Sequence, residues 1–332
     1  MRVGARPRGT TDSAGVNRLI IDTDPGVDDA FAIALAALDP DTELLAVTTV
    51  FGNVPLEVTT DNARRVLALC DREDVPVAAG AARPLVHPQP HRAQHAHGAD
   101  GLSGRAGQLP EPTRAAHDLG AVELMVRLLA ATDEPVTIAA IGPLTNIALL
   151  LATRPDLAPA IDRLVIMGGA VSGGNVTAAA EFNIWSDPEA AQRVLAGESV
   201  PSVLVPIDLT TRCAVDRDWL DTLARSGHRG AALHALVPDY LAHYRTVLGW
   251  DGIVLHDAVA VAEAIRPATL THTPYQLEVD CTPGPSRGAT VVDRRTTAPL
   301  VPPTSDQRPV GVAHDADLDA IRDLLLTGLS SS

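Results

Sequence analysis

The chain contains no lysine: all 26 basic residues are arginine, set against 41 acidic ones, for a formal net charge of −15. Schiff-base lysines, a phosphate-loop lysine and lysine general bases are thereby excluded. The acidic surplus argues against a nucleic-acid groove. Only three cysteines occur, Cys70, Cys213 and Cys281, with no paired spacing. They suggest neither a disulfide framework nor a zinc site, which fits a reducing compartment. Aromatic residues are scarce, at 3%. No apolar stretch is long enough to span a membrane, because Gly, Pro, Asp or Thr interrupts each one. The polar N-terminus MRVGARPRGTTDSAGVN lacks the apolar centre of a signal peptide, so a cytoplasmic protein without a membrane partner is expected.

What is present is a globular composition: 332 residues, 46% hydrophobic and 20% charged, with ample core for one large domain. Residues 1–17 read as a loose tail and residues 18–330 as a single domain. Short apolar runs (Leu19–Ile21, Leu44–Val50, Val136–Ile141, Leu164–Met167, Val203–Pro206) alternate with longer helical patterns. The helices are expected over Asp28–Leu38, Leu56–Leu69, Gly120–Ala131, Leu144–Leu151 and Pro188–Leu195. That alternation predicts an α/β fold, a mostly parallel twisted sheet flanked by helices. Ligands of such sheets sit beyond the carboxyl ends of the strands. There the sequence places Asp22 and Asp24, Gly52-Asn53, Thr145-Asn146, Gly168-Gly169 and Asp208. The stretch from Leu85 to Pro112, rich in Pro, His and Gly, reads as a long loop that could reach over the site. From Thr271 the pattern changes. Strand-like runs at Tyr275–Val279 and Ala289–Val292, a strand near Val310–Val312 and a helix capped around Asp315–Asp317 read as an appended part of the same domain.

Asp22, Asp24, Asp28 and Asp29 put four carboxylates into one strand-to-helix turn, with Pro25-Gly26 between them. Crowded carboxylates raise one another's pKa values, and a hard divalent cation with oxygen ligands is the natural relief. The alternative is a helix N-terminus that favours Asp28 and Asp29, with Asp22 and Asp24 as solvated turn residues. Helix caps account for one or two aspartates rather than four. Three further polar groups stand out: Glu181 and Asn183 in EFNIWSDPEA, His256-Asp257 at the start of the apolar run LHDAVAVAEAI, and His97 in HAHGADGLSG.

Taken together, DTDPGVDDA (Asp22 to Ala30), FGN, HGADGLSG, IGPLTNIA, MGG, GN, EFN and LHDA resemble the inosine–uridine-preferring nucleoside hydrolase family in order and spacing, over roughly Leu19 to Leu326. The resemblance implies calcium-dependent hydrolysis of the N-glycosidic bond of ribonucleosides to ribose and free base. It implies a Ca²⁺ ion held by Asp24, Asp29, Asp257 and the backbone carbonyl of Thr145, with Asp24 as general base. Asp28, Asn53 and Asn183 match residues that hold the 2′- and 3′-hydroxyls, and Asn175 and Glu181 those on the 5′-hydroxyl side. Asp22 matches a supporting position, and His256 a histidine that protonates the leaving base. Tyr240 and Tyr244 fall where relatives carry mobile aromatic residues over the base, and His97 joins the substrate-binding set. Relatives form dimers or tetramers, so a homodimer or homotetramer is expected.

The low aromatic content leaves few rings to stack on a purine, which favours pyrimidine-leaning or nonspecific use, although Trp185 and Trp250 could reach the base. Two other readings stay open. A catalytically silent calcium-dependent nucleoside or ribose binder would carry the same ligands. A haloacid-dehalogenase-type phosphatase would use Asp22 as nucleophile and Asp24 as acid/base, but it normally also needs a phosphate-binding lysine.

Overall fold

A computed structural model describes residues 16–87, 90–198, 200–296 and 308–330. Of the tail expected over residues 1–17, residues 1–15 lie outside the described residues, and Asn17 already belongs to the first strand. The first half of the chain alternates as its pattern predicts. It runs β1 (Asn17–Thr23), α1 (Val27–Leu38), β2 (Thr42–Thr49), α2 (Leu56–Leu69), β3 (Val77–Ala79), the short α3 (Gln94–His97), α4 (Ala121–Ala130), β4 (Val136–Ala140), α5 (Thr145–Thr153) and β5 (Ile161–Met167). After β5 come α6 (Phe182–Ser186), α7 (Pro188–Gly197), β6 (Ser202–Val205) and α8 (Ile207–Thr210). A mostly helical excursion follows: β7 (Val215–Asp216), α9 (Arg217–Arg225), α10 (His228–Ala235), α11 (Pro238–Leu248), β8 (Gly252–Ile253) and α12 (His256–Ile265). The chain closes with β9 (Leu270–Tyr275), β10 (Leu277–Val279), β11 (Thr290–Val292), β12 (Val310–Ala316) and α13 (Leu318–Leu329).

Eight strands form one sheet in the order β3-β2-β1-β4-β5-β6-β12-β9. All neighbours pair in parallel except β9, which runs antiparallel to β12 at one edge. The run Leu19-Ile20-Ile21 is fully buried, as a central parallel strand covered on both faces requires. Strand order reverses between β1 and β4, and that switch point is where open α/β sheets leave a crevice. The appended C-terminal segment is split. The run Tyr275–Val279 is divided between β9 and β10, β10 pairs with β11 as a separate two-stranded ribbon, and β12 joins the main sheet. Asp317 caps α13 by accepting the N–H of Ala320.

Helices α1 and α12 pack on one another against the sheet. Every residue from Val27 to Ala37, and from Asp257 to Ile265, is buried. Their alanines (Ala30, Ala32, Ala34, Ala258, Ala260, Ala262) let two helix backbones approach closely at native packing density. Because Asp28 and Asp29 stand in the first turn of α1 and Asp257 in the first turn of α12, that packing brings together carboxylates more than two hundred residues apart.

Candidate functional site

At the switch point, Asp24 leaves β1 with a side chain that is 1% exposed. One of its carboxylate oxygens accepts the Asn53 N–H at 2.7 Å. A Cβ on Gly52 would stand 1.9 Å from that oxygen, and a Cβ on Gly142 would stand 2.6 Å from the other. Glycine at both strand ends therefore makes room for this carboxylate. The Asn53 side-chain amide donates to the Asp24 carbonyl at 3.1 Å and to an Asp29 oxygen at 3.2 Å. Asp29 also accepts from the Thr23 hydroxyl and from the Gly26 N–H that opens α1.

Carboxylate oxygens of Asp28, Asp29 and Asp257 lie within 4.8 Å of one another, all buried. Burial, and then the charge of Asp29, pushes Asp28 up to about 8. Burial also raises Asp29, and raises Asp24 and Asp257 strongly; the other aspartates push the last two further. Among the described residues no arginine pairs with any of the four; the nearest such contact is His97 Nδ1, 3.9 Å from Asp28. A buried, oxygen-only cluster without a compensating cation fits a hard divalent ion. The tightest trio contains Asp28 where the sequence comparison implied Asp24, and Asp24 stands beside it.

Asp24, Asp28 and Asp257 face a cavity of about 410 Å³ that also receives Asn53, His97, Asn175, Glu181, Asn183, Tyr240, Tyr244 and His256. Glu181 caps α6, accepting N–H groups of Asn183, Ile184 and Gly169, and burial lifts it to about 7. Asn183 donates its amide to the carbonyls of Ile141 and Met167 at 3.0 and 3.2 Å, which fixes its orientation at two strand ends. Exposed Asn175 accepts the Phe182 N–H.

On the opposite wall, His97 Nδ1 accepts the Val27 N–H at 3.1 Å, and the ring stacks on Tyr240. Burial holds His97 down at about 3. His256 has both ring nitrogens engaged, with the Thr210 hydroxyl at 2.6 Å and the Tyr244 hydroxyl at 2.7 Å. Burial lowers it to about 4.

Other expected residues fall outside this cavity. Asp22 turns into the sheet, where it accepts from Thr48 Oγ1 at 2.6 Å and Asn146 Nδ2 at 2.8 Å. Buried and outside the cavity, Asp22 is not placed to act as the nucleophile that a phosphatase would need. Thr145 does not line the cavity, and its hydroxyl donates to Asp187 at 2.7 Å at the start of α5. Asp208 accepts the N–H groups of Val171 and Ser172 and so ties down the glycine-rich loop after β5. Neither Trp185 nor Trp250 reaches the cavity: Trp185 stacks on His91, and Trp250 lies against Gly252.

The loop from Leu85 to Pro112 does reach over the site, because α3 carries Ala93, His95, Ala96 and His97 to it. Asp100 holds the loop by accepting three N–H groups, and Asn62 ties it to Pro25. Sequence reasoning missed Phe182, His243, Val247 and Leu248, which also line the cavity. A signal for the last three existed: residues 240, 243, 244, 247 and 248 make one face of a helix.

A family model described as inosine-uridine preferring nucleoside hydrolase matches residues 19–323. The chain is 38% identical, over 314 residues, to a pyrimidine-specific ribonucleoside hydrolase RihA from Klebsiella pneumoniae (strain 342), covering 94% of this chain and 98% of the relative. Among solved structures it is similar to a plant nucleoside hydrolase, the PpNRh1 enzyme. That match has a TM-score of 0.90 and 32% identity, over 96% of this chain and 100% of the other. It is also similar to a purine-preferring ribonucleoside hydrolase from Gardnerella vaginalis, with a TM-score of 0.86 and 28% identity, over 95% and 98% of the two chains.

Proposed function

The chain belongs to the inosine-uridine preferring nucleoside hydrolase family, hydrolases of the N-glycosyl bond of ribonucleosides, and on that premise we propose that it is a calcium-dependent enzyme with a leaning towards pyrimidine ribonucleosides. The observation that carries this reading is the buried trio of Asp28, Asp29 and Asp257 beside Asp24, at the floor of a cavity large enough for a nucleoside. Asp24, Asp29 and Asp257 would hold the ion, and Asp28 stands close enough to join them; Thr145, outside the cavity, is set aside as a ligand. Once bound, calcium supplies Lewis acidity that lowers the pKa of a water and binds ribose hydroxyls.

The chain's own groups perform the rest. Asp28, Asn53 and Asn183 hold the 2′- and 3′-hydroxyls, while Asn175 and Glu181 hold the 5′ side. Their fixed hydrogen bonds orient the anomeric carbon above Asp24. As the glycosidic bond lengthens, its electron pair moves to the base and positive charge spreads over the ribose, as in glycoside hydrolysis generally. The carboxylate floor stabilises that charge. Asp24 takes the proton of the water that adds to the anomeric carbon, and the Tyr244 hydroxyl, bonded to His256 Nε2, gives its proton to the departing base; Asp24 and Tyr244 return to their starting protonation through solvent as products leave. A silent binder would carry the same groups, and release of ribose separates the two readings.

The pyrimidine-specific relative supports the base preference. So does a cavity wall that, among the described residues, carries no tryptophan to stack on a purine. A cytoplasmic location is supported by three free cysteines. A homodimer or homotetramer follows the family expectation, and light scattering in solution reads it directly.

The deciding experiment measures reducing sugar released from uridine, cytidine, inosine and nicotinamide riboside, before and after exhaustive chelation and after return of calcium or magnesium. Release of ribose that is lost on chelation and restored best by calcium is expected. Undiminished turnover in the chelated protein removes the cation from the account, and binding without ribose release makes the chain a binder.

A further inference from the structure

The roles assigned above use only the inner part of the cavity. Beyond Tyr240 and Tyr244, α11 turns His243, Val247 and Leu248 towards the same space, and α3 adds His95 from across the mouth. The rings of the two helices meet in two rungs. In the inner one His97 stacks on Tyr240, with centroids 4.8 Å apart. In the outer one His95 meets His243 edge-on at 5.5 Å, and His243 in turn lies edge-on to Tyr244.

The inner histidines are spent: both nitrogens of His256 and the Nδ1 of His97 already have partners. By contrast, neither His95 nor His243 makes a hydrogen bond to another described residue, although both rings face the cavity. Beside them Val247 and Leu248 leave 60% and 48% of their surface uncovered. Aliphatic surface on a cavity wall next to polar atoms with unused capacity matches a flat heterocycle with a polar edge.

We infer that His243, together with His95, reads the outward hydrogen-bonding edge of the base and so helps decide which nucleosides are cleaved. The inference rests on the hydrolase reading, with ribose on the carboxylate floor and the base directed to the mouth. A neutral imidazole carries one N–H donor and one acceptor nitrogen, and its tautomers exchange them. Two such rings at the mouth can satisfy the N3–H and O4 of uracil, or the N3 and amino group of cytosine, by switching tautomer. Burial and the neighbouring His95 both lower the pKa of His243, which keeps this ring in the neutral form that the exchange needs.

The test compares His243→Ala, His95→Ala and the double variant on three substrates. These are uridine, the riboside of 2-pyrimidinone (which lacks the 4-oxo group), and p-nitrophenyl riboside, an activated substrate with no base edge. The ratio of kcat/KM for uridine to that for p-nitrophenyl riboside is expected to fall about 10- to 100-fold in His243→Ala, the scale of unpaired polar groups in a recognition site. The 2-pyrimidinone riboside should lose less, and His243→Asn, which retains a donor and an acceptor, should recover part of the ratio. A ratio unchanged in the double variant overturns the inference. Failure of the underlying reading looks different. A wild-type protein that cleaves inosine in preference to uridine refutes the pyrimidine leaning, and the same ratio taken with inosine then decides whether the two histidines read a base edge.

Discussion

Asp22 and Asp24 are two residues apart and chemically identical, yet the fold gives them opposite work. Asp22 points into the sheet and is consumed by Thr48 and Asn146; Asp24 points out of it, between two glycines, into the cavity. Residues two apart on a strand share a face, so it is the end of β1 at Thr23 that separates them. Asp24→Asn is therefore expected to lower kcat on uridine by about 10²- to 10⁴-fold in a protein that still folds, since it removes a proton acceptor and keeps the shape. A variant with wild-type kcat would take Asp24 out of the chemistry. Asp22→Ala should do the reverse. It strands the buried partners Thr48 and Asn146 at a cost of about 1–3 kcal/mol, visible in denaturant unfolding, and leaves the identity of the preferred nucleoside unaltered.

At the scale of elements, the decisive contact is α1 against α12. Both helices were legible as apolar runs, and both begin where the sequence put them, within a residue: Val27 and His256. Their mutual packing was not legible, because alanine-rich helices offer no pairing code beyond small size. Ala260→Leu, at a fully buried position of α12, is expected to cost about 1–3 kcal/mol through overpacking. It should also weaken cation binding, because it shifts Asp257 relative to Asp28 and Asp29. Calorimetry that finds lost stability and unaltered calcium affinity would detach the metal site from this helix pair. Helix α11 escaped the sequence reading because its inward face mixes tyrosine and histidine with aliphatic residues and so does not read as an apolar stripe. The twenty-eight-residue loop from Leu85 to Pro112 was placed over the site, but the turn of helix inside it was too short to leave a periodic pattern.

For the molecule as a whole, the aspartate cluster ties stability to pH, and the proposed ion would tie both to metal. In the metal-free chain the carboxylate of Asp28 is raised from its ordinary 3.8 to about 8, by burial and then by Asp29. The folded state thus holds a proton that the unfolded state has released, and stability falls as pH rises between those two values. Calcium should flatten this slope, because it replaces the proton, and its affinity should weaken as pH falls. Melting temperatures from pH 5 to pH 9, with chelator and with calcium, check both; parallel curves would argue against an ion among these carboxylates. A second expectation concerns the sugar. If the proposed hydroxyl contacts hold, 2′-deoxyuridine should be cleaved with a kcat/KM about 10⁴-fold below that of uridine.

The sequence by itself determined the strand–helix alternation, the carboxylate-bearing turn after β1, and the local motifs at the strand ends, including the His256-Asp257 helix start. These depend on side-chain periodicity, glycine and proline, and capping, all of which act over a few residues. Only the tertiary structure decided which carboxylates meet, the antiparallel edge formed by β9, and the approach of α3 to α11 that sets His95 beside His243. Those contacts join segments far apart in the chain. They follow from how helix and sheet surfaces close-pack, and that depends on the three-dimensional shape of both partners rather than on the composition of either.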